Sequence, residues 1–94
     1  MASLLDNAAA DGFGPDVTVT SSFAQIRVTG IRENSPTRVQ LHWSDDGTNF
    51  EPVVDVMQVD RAYPVDLPAG SGTVKANLLG ARSGDAITAT ITFS

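Results

Sequence analysis

The chain has 94 residues, enough for one domain, with six Lys and Arg against eleven Asp and Glu and a net charge of −5. It has no cysteine, and His42 is its only histidine, which excludes disulfides, thiolate metal centres and a multi-histidine site. The acidic balance, with Lys75 the single lysine, argues against nucleic acid, whose phosphates select the opposite sign, and no apolar run approaches the ~20 residues of a membrane span.

A chain of this size buries only roughly 60–65% of the surface that its unfolded form exposes. Small domains usually add a disulfide, a metal or a partner subunit. With the first excluded and no metal-ligand cluster evident, oligomerisation or docking is the expected supplement. The lack of cysteine fits synthesis in a reducing cytoplasm.

Residues 1–15 read as an arm. Leu4, Leu5 and Phe13 are apolar but do not alternate. Ser3 could cap a short helical turn from Leu4 to about Ala10, and Gly12, Gly14 and Pro15 then interrupt regular structure. The segment does not read as a secretion signal, because it lacks a basic start and Asp6 breaks its apolar run.

From Asp16 onward the pattern is β. Val17–Thr20 is a short run rich in β-branched residues. Ala24–Thr29 alternates, with Ile26 and Val28 on one face and Gln25, Arg27 and Thr29 on the other. Residues 33–36 form a loop. Next, Val39, Leu41 and Trp43 point one way while Arg38, Gln40 and His42 point the other. Ser44-Asp45-Asp46-Gly47-Thr48 is a tight hairpin turn, with Gly47 supplying the positive φ.

The return strand, Asn49–Val54, contains Pro52, which cannot donate to a ladder, so the strand lies at an edge or carries a bulge. Residues 57–59 and Ala62–Leu67 are short extended pieces, and Pro68–Gly72 is a turn. Thr73–Leu79 places Val74, Ala76 and Leu78 on one face, with Lys75 and Asn77 on the other. After a turn over residues 80–85, the final strand directs Ile87, Ala89, Ile91 and Phe93 inward and its threonines outward. The expectation is an all-β, small antiparallel sandwich or barrel-like domain over residues 16–94, of about seven strands, preceded by the arm. Its core comprises Ile26, Val28, Val39, Leu41, Trp43, Val74, Leu78, Ile87 and Ile91.

No catalytic motif is present, and no cofactor is implied. His42 falls on the polar side of its strand and reads as a surface residue, so no enzymatic role is expected. Asp45, Asp46, Asn49 and Glu51 are the densest group of oxygen ligands, but their spacing does not match a calcium loop, whereas Asp-Asp-Gly is ordinary turn chemistry. Trp43 could be a sugar-stacking platform, but its register with Val39 and Leu41 assigns it to the core. Tyr63 lies in a weakly patterned segment. The residues expected at an interface are Leu4, Leu5 and Phe13 of the arm, together with Pro52 and Tyr63.

The chain resembles the small decoration, or cement, proteins of tailed bacteriophages. The likeness rests on L-L-D-x-A-x-A-x-G-x-G-P from Leu4 to Pro15, on Val28-Thr29-Gly30, and on Val39 to Phe50 with its S-x-D-G-T-N-[FW] segment. It continues in Asp66-Leu67-Pro68-Ala69-Gly70 and the strand from Ala86 to Thr92. The S-x-D-G-T-N-[FW] element also occurs in unrelated sandwich domains, including sugar-binding ones. The stretch Asp55–Val65 departs from the family's pattern and is where a surface specific to this virus would lie.

The resemblance implies a virion protein made in the bacterial cytoplasm and bound to the outer capsid surface. Its partners would be the major capsid protein and other copies of itself, as a trimer or else a dimer, with neither nucleic acid nor membrane involved. The alternatives are a carbohydrate-binding or adhesion domain and a tail or neck component.

Overall fold

In strand β4 (Phe23–Thr29) buried and exposed residues alternate without a break: Ala24, Ile26 and Val28 face inward and their neighbours face water. Strands β5 (Arg38–Ser44), β8 (Thr73–Leu79) and β9 (Ile87–Phe93) bury every second residue in the same way, which is what a period of two produces when one face of a sheet meets another. A computed structural model describes residues 2–32, 36–57, 60–82 and 84–94, with backbone alone for 55–57. Parts of the expected loop at 33–36, the extended piece at 57–59 and the turn at 80–85 thus lie outside the described residues.

The remaining strands among the described residues are β1 (Ala2–Ala8), β2 (Gly12–Phe13), β3 (Val17–Thr18), β6 (Glu51–Met57) and β7 (Arg61–Asp66). The protein is all-β, and its nine strands form two antiparallel sheets packed as a small sandwich. The first sheet has the order β1-β9-β4-β7 and the second β2-β8-β5-β6, with β3 also pairing β8. The nine residues expected to form the core are all buried between the sheets, and Ala24, Val65, Leu67, Ala76 and Ala89 join them. No helix long and apolar enough to cross a membrane is present among the described residues.

The first fifteen residues do not form a free arm. Ala2–Ala8 is a strand paired with β9, not a helical turn. Leu4 and Leu5 are 0% and 4% exposed within the chain's own core, so neither is available at an interface. Two adjacent leucines can both be buried because β1 advances from Ser3 to Leu5 while its partner moves only from Thr90 to Ala89. The extra residue is a β-bulge, which turns consecutive side chains toward the same side. Between Leu5 and Ala8 the register shifts again, close to the positive φ of 49° at Asn7.

The chain then crosses to the second sheet. Gly12 and Phe13 pair with Leu78 and Asn77, and the Gly14 amide donates to the Ala76 carbonyl at 2.9 Å. A Cβ at Gly14 would strike the Leu4 carbonyl oxygen, so glycine is what lets the crossing pass so close to β1. The Asp11 carboxylate accepts from the Ala81 amide at 2.7 Å and the Gly80 amide at 3.2 Å. The segment is therefore stitched to both sheets, and no domain boundary falls at residue 15.

Each sheet rim is blunted. β6 is the edge strand that Pro52 suggested, and its register with β5 shifts between Leu41 and His42. In β7, the Leu67 amide donates inward to the Ser22 carbonyl, which sets the alternation of the ladder with β4. By that alternation the nitrogen of Pro64, which carries no hydrogen, faces the open rim. β1 is broken by its two register shifts, and β2 is two residues long.

At one end of the sandwich, Asp85 joins two loops. Its side chain is 1% exposed and accepts from the Arg82 amide (2.8 Å) and the Thr37 hydroxyl (3.1 Å), while Arg32 Nε lies 3.2 Å away. The Arg82 amide, then the Thr37 hydroxyl and the Arg32 and Arg82 charges, hold this carboxyl below its ordinary range against the opposing effect of desolvation. A depressed carboxyl contributes stability above its unfolded pKa of ~3.9 and loses it as pH falls through the folded value. An Asp85→Asn variant should accordingly melt below the wild type at pH 7. The gap between them should narrow as the pH drops below about 4, which paired melting curves over that range would test.

Candidate binding surface

The outward register of β8 and β5 places Lys75 opposite His42 and Asn77 opposite Gln40 on the outer face of the second sheet. β2 brings Phe13 to the same face opposite Asn77, and β6 brings Pro52 opposite His42. Phe50, just before β6, completes the group. Lys75 Nζ lies 4.2 Å from the ring centroid of Phe13 and 4.1 Å from that of Phe50. The ammonium thus sits against two aromatic faces, each contributing about 0.5–1 kcal/mol at an exposed site.

The His42 ring meets Phe13 edge-on, with centroids 5.1 Å apart at 83°, and its Nε2 is 3.0 Å from Gln40 Oε1. Partial burial, and secondarily the Lys75 charge, pull the His42 pKa below its ordinary 6.5, so the imidazole is neutral at pH 7. A Lys75→Gln change should raise the His42 midpoint while leaving it below 6.5, because burial, the larger cause, persists. A titration of the His42 ring protons by NMR would measure this, and an unchanged midpoint would remove Lys75 as a contributor.

Phe13 is 51% exposed, one of two large apolar side chains left in water among the described residues; the other, Phe23, starts β4 in the first sheet. Of the residues expected at an interface, Phe13 and Pro52 share this face, with His42 touching the first and paired with the second. Tyr63 does not join them. It lies on β7 in the other sheet, partly buried against the core, with the Arg61 guanidinium 4.8 Å above its ring. Lys75, Phe50 and His42 are the members that reasoning from the sequence missed. A lone lysine in the outward register of a strongly alternating strand was a usable signal for the first, whereas its contact with Phe13 depends on the path of β2 across the sheet.

The acidic turn has another role. Trp43 is 9% exposed and its indole N–H donates to the Ser71 carbonyl at 3.1 Å, so it offers no stacking platform. The loop between β5 and β6 is longer than a tight hairpin and is organised by Asp46. Its carboxylate accepts from the amides of Thr48 (2.8 Å) and Asn49 (2.9 Å), the Ser44 hydroxyl (2.7 Å) and the Asn49 side chain (3.0 Å). These bonds, with the Asn49 and Thr48 amides foremost, hold its pKa well below the usual carboxylate range. Oxygens engaged in this way shape the loop and are not directed at a ligand. Among the described residues, no three His, Cys, Asp or Glu side chains gather where they could hold a metal ion.

Comparison with known protein families, curated proteins and solved structures finds no match to this chain.

Proposed function

We infer that this protein is a binding module of a virion, a decoration protein that attaches to the outer surface of a tailed-phage capsid and clamps neighbouring major capsid subunits. The observation that carries the reading is the outer face of the second sheet, where a half-exposed phenylalanine is held beside a second phenylalanine, a lysine and a proline. Aromatic side chains grouped on an exposed face are what protein interfaces use as anchors. The sequence resemblance, from Leu4 to Pro15 and through the S-D-D-G-T-N-F and D-L-P-A-G segments, supplies the kind of partner.

The face, not the rim, makes the contact in this reading. Pairing of a capsid strand along β6 or β7 is disfavoured by Pro52, Pro64 and the shifted register. One copy contributes a modest area, and a symmetric homo-oligomer, a trimer by the resemblance, multiplies it by engaging several capsid subunits at once. A glycan-binding role has lost its two sequence supports, because Trp43 is in the core and the Asp46 oxygens are taken within the loop.

The test is sedimentation of the purified chain with empty capsids, and separately with isolated tails, of the phage that encodes it. Saturable binding to capsids at a fixed ratio is expected. Binding to tails alone would move the protein to the tail or neck, and binding to neither would end the reading.

A further inference from the structure

The outer face of the second sheet carries exposed apolar area and also the positive charge of Lys75. Lys75 extends from β8 between the rings of Phe13 and Phe50, and among the described residues it makes no ion pair; the pair present joins Arg32 to Asp85. Aromatic faces attract an ammonium but do not neutralise it. In a chain with eleven acidic residues, the only lysine is thus held against two rings and, among the described residues, is ion-paired with no carboxylate. His42, flanking Phe13, is neutral at pH 7 and adds no competing cation.

We propose that this face binds a carboxylate-bearing segment of a partner protein, with a Glu or Asp side chain on the Lys75 ammonium and flanking apolar side chains on Phe13, Phe50 and Pro52. The inference rests on reading the chain as a protein-binding module and names the chemistry of the partner. Charge complementarity selects the acidic residue. The rings lower the ordering cost, because a lysine already held in position loses little further freedom on pairing. An acidic sugar would bring the same charge. However, the ammonium lies between two phenylalanine rings and Gln40 is already engaged with His42, so the contacts beside the charge are apolar and suit leucine-like side chains better than sugar hydroxyls, for which the face offers the Asn77 amide.

The experiment is an NMR titration of the full chain with a blocked hexapeptide alternating glutamate and leucine, beside a control with lysine for glutamate. The acidic peptide should give saturable shifts at Phe13, His42 and Lys75 with a millimolar dissociation constant, and the basic control none. K75Q should weaken binding about tenfold, as loss of a charge-assisted contact does. Raising the ionic strength from about 0.05 to about 0.5 M should weaken the wild type in the same direction. Lys75 is on an outer face, so K75Q should still unfold cooperatively, at a somewhat lower temperature because two ring contacts are lost, and remain folded during the titration; F13S provides a second variant that removes a ring and leaves the charge.

Equal affinity of K75Q, no saturable shift, shifts confined to other surfaces, or binding of a glucuronate oligomer in place of the peptide would each overturn the proposal. Capsid sedimentation separates it from the reading beneath it. If wild type and K75E sediment equally with capsids, the acidic-partner inference falls and the decoration role stands. If the peptide behaves as expected and no capsid binds, the reverse holds.

Discussion

A chain lacking residues 1–14 is expected to show no cooperative thermal transition. The deletion removes Leu4 and Leu5 from the core and uncovers the flank of β9 at Ile87, Ala89 and Ile91. It also takes away the Asp11 carboxylate that holds the Gly80 and Ala81 amides. Replacing Leu4 alone by alanine should cost about 2–5 kcal/mol, the range for emptying a fully buried leucine site. In a domain of this size that lowers the melting temperature by roughly 10–30 °C. Total stabilities of small domains lie near 5–15 kcal/mol, so the loss of both leucines and an edge strand leaves little or nothing in reserve. Far-ultraviolet circular dichroism on heating measures both variants. If the truncated chain melted within a few degrees of the full one, the integral role of β1 would be disproved. The deletion therefore cannot serve as a docking test; substitutions at exposed Phe13 or at Lys75 can.

The second large effect is expected from Gly72→Ala. Gly72 has a φ of +106°, and a Cβ there would meet the Ser44 carbonyl oxygen and lie 2.9 Å from the indole nitrogen of Trp43. Two costs combine: about 1–3 kcal/mol for a non-glycine residue at such a dihedral and about 1–3 kcal/mol for crowding a packed site. The indole donates to the neighbouring Ser71 carbonyl, so the same change disturbs the anchor of the core tryptophan. The expected result is a fall of about 2–6 kcal/mol in urea unfolding, with an altered Trp43 emission in the folded state. The positive-φ turn at Gly47 is a contrast. A Cβ there meets nothing, so Gly47→Ala carries only the dihedral cost and should be the milder of the two.

The strands that sequence periodicity identified are those in which it is unbroken. Ile26 with Val28, Val39 with Leu41 and Trp43, and Ile87 with Ala89 and Ile91 each repeat at the spacing of two that a half-buried strand requires, and each is buried. β1 was illegible for a physical reason. Leu4 and Leu5 are adjacent, and a bulge is needed to bury both, so the pattern that would mark a strand is destroyed by the device that makes this one work. β2 and β3, two residues each, are too short to carry any period.

The candidate surface was half visible. Lys75 and His42 could be assigned to wet faces, and Pro52 to an edge, from alternation and from the chemistry of proline. The meeting of Phe13 with Lys75 and His42 could not, because it depends on how a segment near the start crosses from one sheet to the other. A glycine with no room for a Cβ permits that crossing, and only the packed structure shows what Gly14 avoids. Tyr63 shows the converse: with no clear alternation around it, its position at the margin of the core had to come from the pairing of β7 with β4.

Blunted rims also govern behaviour at high concentration. Among the described residues, a sandwich with one rim interrupted by a bulge, one divided into two strands of two residues each and two that carry a proline offers no long uninterrupted row of amides and carbonyls on which a further chain could grow in cross-β fashion. Crowded copies of this molecule should therefore stay free of fibres for as long as the fold is intact.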